Sequence, residues 1–338
     1  MKHSSRRVSR RAILAGAGTA AVAAGLGAAG LSQLAQAQDA VPTSGKFDLT
    51  HGSDRLFWKK PLTATTVLQC FAFDNTHGHL YTMQVSNNAK PGDLTVTKLD
   101  LTGKKLGRMY LKGFGHGIAF GVQPGGGGVT MWTEAVAKPY GDDVRGTQIC
   151  RFAFKNTATP ITKDDVELFD PFPGNRLAAC SLDMDAGTIA VRHQRSGEAN
   201  TITMFDLAKF AAKDYSAPLA SVGTSAAYPP GVTPQGFQHY GQHLYLLQGT
   251  AYEGGDKNCK VGHGDGDLDG NVKISRINFN KPSDYETHLT KAGYSLSYRE
   301  PEGLGVLKVG GKPALALGLA SGCPGGRLAS IYYKNSYA

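Results

Sequence analysis

The chain has 338 residues, 44 of them glycine, and 9% of its residues are aromatic, which is typical of a β protein with many turns. The formal net charge is +9, but five basic residues and no acid lie in residues 1–37, so the rest carries 31 basic and 27 acidic side chains. This small excess suits an anionic polymer as partner and gives no reason to expect nucleic-acid binding. After the first forty residues, no segment is apolar enough for a membrane-spanning helix.

The N-terminal segment has the pattern of an export signal. Residues 9–14 (Ser-Arg-Arg-Ala-Ile-Leu) resemble the twin-arginine motif, and an apolar run ends at Ala35-Gln36-Ala37, which offers the small residues that a signal peptidase requires. We expect residues 1–37 to be a twin-arginine signal peptide with the twin-arginine translocase as a transient partner. The product would then be secreted or associated with the cell wall. An uncleaved membrane anchor is the alternative.

Residues 38–60 come before the first repeat and contain two short strand-like pieces, at residues 46–49 and 55–58. The last repeat has no room for a fourth strand before the chain ends. We therefore predict that residues 38–60 supply the missing strand and close the ring, which would remove an exposed sheet edge.

Five imperfect repeats follow, each made of a short strand, a turn and a second apolar strand. The strand pairs cover residues 69–73 and 80–84, 116–120 and 129–134, 179–183 and 188–192, 235–239 and 244–248, and 302–306 and 314–318. Their starts are 47, 63, 56 and 67 residues apart. A four-stranded antiparallel blade needs roughly 40–50 residues before loop insertions.

Each pair is followed by a third strand in which polar and apolar residues alternate, at residues 94–100, 148–152, 201–206, 272–277 and 328–333. Residues 205–212 predict one short helix. Together these elements predict an all-β fold, a five-bladed β-propeller of four-stranded antiparallel blades over residues 61–338. A β-sandwich would also account for the strands, but not for their five-fold recurrence.

Several stretches within these repeats carry a resemblance. They are Gln69-Cys70-Phe71-Ala72-Phe73-Asp74, residues 92–101, Gly113-Phe114-Gly115-His116-Gly117, Met131-Trp132-Thr133-Glu134 and Tyr298-Arg299-Glu300-Pro301-Glu302-Gly303. The chain resembles the β-propeller shared by the teichoic acid biosynthesis protein C family and the tail receptor-binding proteins of some phages. The resemblance implies a five-bladed propeller and a link to cell-wall polymers, and it implies no catalytic mechanism.

Polar residues stand where first strands begin and second strands end, positions that a propeller brings together around its axis. We predict that they bind a ligand: Gln69, Gln84, His116, Glu134, Arg192, His193, Gln235, Gln248, Arg299 and Glu302. Amides suit sugar hydroxyls, and guanidinium groups suit phosphates or carboxylates. The alternative is structural, because polar side chains around a central channel often bond to one another and to water.

The same residues leave catalysis open. Glu134 and Glu302 have the chemistry of the carboxylate pair that cleaves a glycosidic bond. His116 together with Arg192 could instead remove a proton beside a uronate carboxylate, as a lyase does. The sequence alone gives no distances that favour either reaction.

Cysteines and acidic loops give weaker signals. Cys259 and Cys323 lie in glycine-rich loops and are predicted to form a disulfide in an oxidising environment, whereas Cys70, Cys150 and Cys180 lie in apolar strands. Asp265, Asp267 and Asp269 resemble the first half of a calcium loop that lacks the acid expected at its twelfth position. We expect no cofactor, and calcium is the one possible ion.

The hypothesis drawn from the sequence is a secreted, monomeric, lectin-like propeller. Its partner would be a polysaccharide or anionic cell-wall polymer such as teichoic acid. The alternative is an extracellular glycoside hydrolase or polysaccharide lyase with its active site at the mouth of the propeller.

Overall fold

The computed structural model describes residues 41–87, 90–252, 254–260 and 271–338. The predicted signal peptide and the acidic loop with Asp265, Asp267 and Asp269 lie outside these residues, so both remain predictions. The described residues form five four-stranded antiparallel sheets, which confirms the predicted five-bladed propeller. No helix within them is long and apolar enough to span a bilayer.

Blades 1 to 3 follow one another along the chain. Blade 1 contains β2 (Leu68–Asp74), β3 (His79–Val85), β4 (Leu94–Asp100) and β5 (Lys105–Leu111). Blade 2 contains β6 (Gly121–Gly125), β7 (Gly128–Tyr140), β8 (Asp143–Ala153) and β9 (Glu167–Phe169). Blade 3 contains β10 (Leu177–Asp183), β11 (Thr188–Gln194), β12 (Thr201–Asp206) and β13 (Ala220–Gly223).

Blades 4 and 5 complete the ring. Blade 4 contains β14 (Pro234–Tyr240), β15 (His243–Gln248), β16 (Lys273–Asn278) and β17 (Lys281–Leu289). Blade 5 contains β18 (Glu300–Val309), β19 (Lys312–Ser321) and β20 (Leu328–Lys334), with β1 (Asp54–Pro61) as its outer strand. Since β1 pairs antiparallel with β20, the N-terminal segment closes the ring as predicted.

Helical structure is limited to three short pieces within the described residues. The helix α1 (Leu207–Ala211) lies inside the range predicted for a helix, and the Asp206 carboxylate caps it by accepting a hydrogen bond from the N–H of Lys209. Two 3₁₀ turns cover Lys163–Asp165 and Gly255–Asn258. The propeller therefore takes almost all of its regular structure from strands.

The core lies between neighbouring blades, because each inner sheet face packs against the next. Between blades 2 and 3, the Trp132 ring lies 5.0 Å from Phe169 and 6.0 Å from Phe210, measured between ring centroids. Burying an aromatic side chain of this kind contributes about 2–3 kcal/mol to stability. The apolar repeats of the sequence are thus the surfaces that hold adjacent blades together.

The two ends of the propeller differ, and we name them by their connections. The turn face is where first strands end, and its connections are short: residues 75–78, 126–127, 184–187, 241–242 and 310–311. The loop face is where first strands begin. It carries the extended β7–β8 hairpin, the β15–β16 connection of blade 4, which is described at residues 249–252, 254–260 and 271–272, and the loop at residues 322–327 of blade 5.

The axis at the loop face is closed by close contact between inner strands. Gly303 has a φ of +78°, and a Cβ atom placed there would lie 2.8 Å from the Cα of Cys70. A Cβ atom on Gly236 would lie 2.9 Å from the Cα of Gly303 and 3.2 Å from the carbonyl oxygen of Ile118. Because glycine allows this approach, the inner strands meet at the axis. The predicted ring of polar, ligand-binding side chains at the axis stays a prediction, with less open space there than the sequence suggests.

The first strand of blade 2 also differs from its prediction. The sequence predicts it at residues 116–120, whereas β6 covers Gly121–Gly125. Residues 116–120 are irregular because a carboxylate of β7, rather than a neighbouring strand, accepts the hydrogen bonds of their first backbone N–H groups.

Candidate functional site

Glu134 lies on β7 with its side chain fully buried, and its carboxylate binds the backbone. Oε1 accepts hydrogen bonds from the N–H groups of His116 (3.1 Å) and Gly117 (2.6 Å), and Oε2 accepts one from Gly146 (2.5 Å). Burial raises the pKa of Glu134, and the two glycine N–H groups oppose that rise. Glu134 therefore holds the irregular segment before β6 in place, which corrects its expected exposure to a ligand.

Glu302 lies on β18 and is also buried. Burial raises its pKa well above the usual range of glutamate, and the charge of Glu300 acts in the same direction. Burial raises the pKa of the Cys70 thiol, and the charges of Glu134 and Glu302 add to that rise. The two residues predicted as an acid/base pair are both enclosed by protein.

The four glutamines of the predicted ring bond to their own blades or lie at irregular positions. Gln84 is buried and donates to backbone carbonyls of the segment before β2, at 3.0 and 2.7 Å. Gln248 is buried and donates to Ser275 Oγ at 3.0 Å. Gln235 and Gln69 keep partial exposure, and each stands at a break in the pairing of its inner strand.

Arg192 and His193 end β11 at the loop face. Arg192 is buried, its Nε donates to Asn200 Oδ1 at 3.2 Å, and its guanidinium lies 5.8 Å from the ring centroid of Tyr228. The His193 ring stacks on Phe172 at 3.6 Å, and burial lowers its pKa to about 4. His193 is therefore neutral at pH 7, and Arg192 offers little of its surface to a ligand.

His116 is the predicted catalytic residue that solvent reaches best. Its Nδ1 lies 3.0 Å from Asp143 Oδ1, and Asp143 also pairs with Arg145 at 2.7 Å, on the extended β7–β8 hairpin. The backbone N–H of His116 donates to the Glu134 carboxylate, whereas its imidazole ring contacts Asp143. His116 thus belongs to an ion-pair cluster at the base of the hairpin.

Strained backbone marks the start of β18. Tyr298 and Arg299 have φ values of +66° and +46°, which non-glycine residues rarely adopt. The buried Arg299 guanidinium helps to hold this conformation by donating to the carbonyl oxygens of Ala292 (3.0 Å) and Thr290 (2.8 Å). Arg299 is therefore structural, which corrects its predicted contact with a ligand. The same strained backbone fixes the position of Tyr298, which is partly exposed.

A cavity of about 570 Å³ lies beside Tyr298 on the loop face, between blades 5 and 1. Its wall combines hydroxyl, amide, aromatic and charged groups from Thr65, Thr66, Asn87, Asp256, Tyr298 and Arg327. The Arg327 guanidinium lies 3.5 Å from the ring centroid of Tyr298 and pairs with Asp256. Because the tyrosine hydroxyl donates to Glu300 Oε2 at 2.6 Å, its ring has a fixed orientation.

A second cavity of about 280 Å³ adjoins the first, and Asn87 lines both. It runs outward over blade 1 and adds Ser86, Asp93, Thr95, Tyr110 and Lys112 to the lining. We call the two together the groove. The lining contains two cations, Arg327 and Lys112, and two anions, Asp256 and Asp93. The groove is therefore polar without a net formal charge.

A disulfide supports the inner end of the groove. Cys259 and Cys323 are joined, as the sequence predicts, with their Cα atoms 4.8 Å apart. The bond ties the loop that contains Asp256 to the loop that precedes Arg327. The two loops therefore keep the guanidinium and the carboxylate together beside Tyr298.

The groove was not predicted, although part of its signal was present. Tyr298 opens a sequence stretch that carries the family resemblance, whereas Asn87, Asp256 and Arg327 lie in loops without a recognisable motif. As for a metal, the described ranges contain no group of three or more histidine, cysteine, aspartate or glutamate residues placed to hold one.

Comparison with known proteins agrees with this architecture. A curated protein of Bacillus subtilis (strain 168), named teichoic acid biosynthesis protein C, is 28% identical over 307 residues, which is 86% of this chain and 64% of that protein. The chain thus spans less than two thirds of that relative's length.

Solved structures show the same fold. The tail fiber of Staphylococcus aureus phage P68 matches with a TM-score of 0.63 and 16% identity, over 84% of this chain and 52% of that one. An endo-arabinanase from Bacillus licheniformis matches with a TM-score of 0.41 and 12% identity, over 82% and 96% of the two chains, a likeness too low to carry an argument. The sequence model of a family described as the phage five-bladed β-propeller receptor-binding platform domain matches residues 67–333, so the chain belongs to that family.

Proposed function

We propose that this propeller binds a cell-wall polysaccharide or polyol-phosphate polymer, such as teichoic acid, outside the cell, through the groove on its loop face. The observation that carries the proposal is the strained backbone at Tyr298, which fixes an aromatic ring beside an open polar cavity and against the buried guanidinium of Arg327. Backbone strain persists where the surrounding structure holds it, and such positions cluster at ligand sites.

The lining of the groove suits a hydroxyl-rich ligand. Threonine, serine and tyrosine hydroxyls and the Asn87 amide can each donate or accept, as sugar and polyol hydroxyls require. Two cavities that share Asn87 offer room for several units of a polymer. The family and the name of the Bacillus subtilis relative support a cell-surface polymer as the ligand.

We do not extend the proposal to hydrolysis or elimination. Both reactions need a carboxyl or imidazole group within hydrogen-bond reach of the substrate. Glu134 has both oxygens bonded to backbone N–H groups, and Glu302 is buried. Neither residue lines the groove. The groove's own carboxylates are already engaged, Asp256 by Arg327 and Asp93 by the N–H of Gly113.

The test is calorimetric titration with purified wall teichoic acid and with a neutral glucan. We expect Asn87→Ala and Arg327→Gln each to weaken binding at least tenfold, because each removes a hydrogen-bonding group worth about 1.4 kcal/mol. Lys308→Gln, on the turn face, is the matched control and should bind as the parent protein does. Thermal unfolding of each variant separates lost contacts from lost structure.

Folded groove variants that bind like the parent would overturn this site, and so would equal loss in Lys308→Gln. Mass spectrometry of the polymer after incubation provides a second measurement. Release of fragments would favour the hydrolase or lyase alternative.

A further inference from the structure

A band of unpaired cations runs around the outside of blades 5 and 1, remote from the groove's inner end. It contains Arg55, Lys59, Lys60, Lys104, Lys105 and Arg108, which we call the cationic rim. Ion pairs within the described residues involve other cations, such as Lys46, Arg145 and Arg151. The rim therefore presents positive charge that the described part of the protein does not neutralise.

The rim is continuous across the junction of the two blades. Lys105 Nζ donates to the carbonyl oxygen of Leu62 at 3.3 Å, which joins the β4–β5 hairpin to the end of β1. Gly103, in that hairpin, packs against the Lys60 stem so closely that an added Cβ atom would lie 2.5 Å from Lys60 Cγ. The cations of β1 and of β5 thus belong to one surface.

Acidic side chains beside the rim are occupied by the backbone or by neighbouring amides. The Asp100 carboxylate accepts hydrogen bonds from the N–H groups of Thr102 and Lys104, both at 2.9 Å. The Asp54 carboxylate accepts one from Asn335 at 3.1 Å. No ion pair between these carboxylates and the lysine or arginine heads of the rim is found among the described residues, although the Lys104 charge adds to the larger effect of the Thr102 hydrogen bonds in lowering the pKa of Asp100.

Two large apolar side chains stand exposed among these cations. Trp58 is 43% exposed and Leu106 is 41% exposed. Lys59 Nζ lies 4.5 Å and Arg55 Cζ 5.6 Å from the ring centroid of Trp58. Cations on an edge strand also discourage unwanted strand pairing, but that role does not explain an exposed tryptophan and leucine beside them.

The backbone of the rim excludes a peptide strand as partner. β1 is the outer strand of blade 5, yet its pairing with β20 is irregular between Arg55 and Lys60, and Lys59 has a φ of +49°. The strand ends at Pro61, which has no N–H to donate. A bulged edge of this kind offers no regular ladder for strand addition.

We propose that the cationic rim docks on a bilayer surface that contains anionic lipids. Clusters of four to eight lysine and arginine residues attract anionic headgroups, and tryptophan favours the boundary between headgroups and acyl chains. A soluble polyanion would use the cations but would gain little from Trp58 and Leu106. The inference is independent of the function proposed for the groove.

Tryptophan fluorescence of the full chain gives a direct test, because the chain has only two tryptophans and Trp132 is fully buried. Titration with vesicles of phosphatidylglycerol and phosphatidylcholine in equal parts should shift the Trp58 emission to shorter wavelength, whereas pure phosphatidylcholine should not. The Trp58→Phe variant should lose the shift. Added salt should weaken binding.

Variants of the rim then assign the binding. Lys59→Gln, Lys60→Gln and Lys105→Gln should each lower partition roughly fivefold, and the triple variant about 100-fold. Vesicle binding that is unchanged in the triple variant would place it elsewhere in the chain and overturn the proposal. The same holds if the parent binds inorganic polyphosphate but not anionic vesicles.

Discussion

The loop face and the turn face are built from the same five blades but hold their backbones in different ways. On the turn face, an aspartate at the end of the first strand caps the following turn in blades 1 and 3. In blade 1, Asp74 accepts from the N–H groups of Thr76 and His77. In blade 3, Asp183 accepts from the N–H groups of Asp185 and Ala186. This device is local and repeats with the blade.

The centre of the turn face is also tied across the ring. Lys308 of blade 5 reaches Asp185 of blade 3 at 2.5 Å, and the hydroxyl of Tyr240 in blade 4 reaches the same carboxylate at 3.3 Å. Only a small cavity of about 50 Å³ remains there. On the loop face, in contrast, buried charged side chains such as Glu134 and Arg299 support irregular segments, and an open groove lies there. The connections on the turn face are thus short in every blade, whereas those on the loop face differ in length and leave space for a ligand.

Glu134 gives the largest expected difference between the faces. Glu134→Ala leaves the buried N–H groups of Gly117 and Gly146 and the part-buried N–H of His116 without an acceptor, and each buried group costs about 1–3 kcal/mol. We expect a loss of about 5 kcal/mol in the free energy of unfolding, measured by urea denaturation.

The matched control is Glu167→Ala in the same blade, where the side chain is 39% exposed and pairs with Arg151. That loss should stay below about 1 kcal/mol. If Glu134→Ala is as mild as its control, the segment before β6 holds its shape without the carboxylate, and the contrast between the faces loses its main support.

The case of Glu134 also shows which features a sequence can predict. The five blades were predictable because each repeats an apolar strand pair and a turn, and the closing strand followed from the missing fourth strand of blade 5. A polar residue at a strand end, however, can bind a ligand or its own backbone. The pattern of polar and apolar residues does not distinguish these two roles. For Glu134 the partners are the backbone N–H groups of residues 116, 117 and 146, and backbone groups leave no mark in the sequence.

The close contact of the inner strands at the axis could not be predicted from the sequence either. Whether Gly236 and Gly303 serve as turns or as points of contact depends on backbone angles and on strands that are distant in sequence. The groove depends on loops from blades 4, 5 and 1 and on a disulfide between residues 64 positions apart. Such long-range juxtaposition leaves no local pattern.

The disulfide should give the next largest effect, and it tests whether the loop face depends on its long-range ties. In the chain-entropy model, a bond that closes a loop of this length stabilises the protein by about 4 kcal/mol. We expect the double variant Cys259→Ser, Cys323→Ser to lose about that amount in urea denaturation. Its affinity for the groove ligand should also fall, because Asp256 would no longer be held near Arg327.

Treatment of the parent protein with a reducing agent should reproduce both effects, and the double variant should not respond to it. If the double variant keeps full affinity, then the groove does not need the tie between the two loops. The loop face would in that case be as self-contained as the turn face.

The third and smallest effect compares two histidines, one near each face. His239 is fully buried near the turn-face end of β14, with Nδ1 2.7 Å from Ser181 Oγ and Nε2 2.8 Å from Thr188 Oγ1. Burial lowers its pKa from 6.5 to about 4, and the Asp183 charge opposes this. Because the folded-state pKa lies below the unfolded value, the contribution to stability is present above pH 6.5 and is lost as pH falls towards 4.

We therefore expect the free energy of unfolding to fall between pH 6.5 and 4, with His239 contributing a slope of up to about 1.4 kcal/mol per pH unit. His239→Gln should remove that share of the slope in urea denaturation at pH 7, 6 and 5. Burial also lowers the pKa of His193, at the loop face, but that ring is only half-buried, so solvent limits how far its pKa falls. His193→Gln should thus change the slope less. An equal change in both variants would mean that burial near the two faces is equivalent, because the slope depends on protons bound and not on which contacts the neutral ring makes.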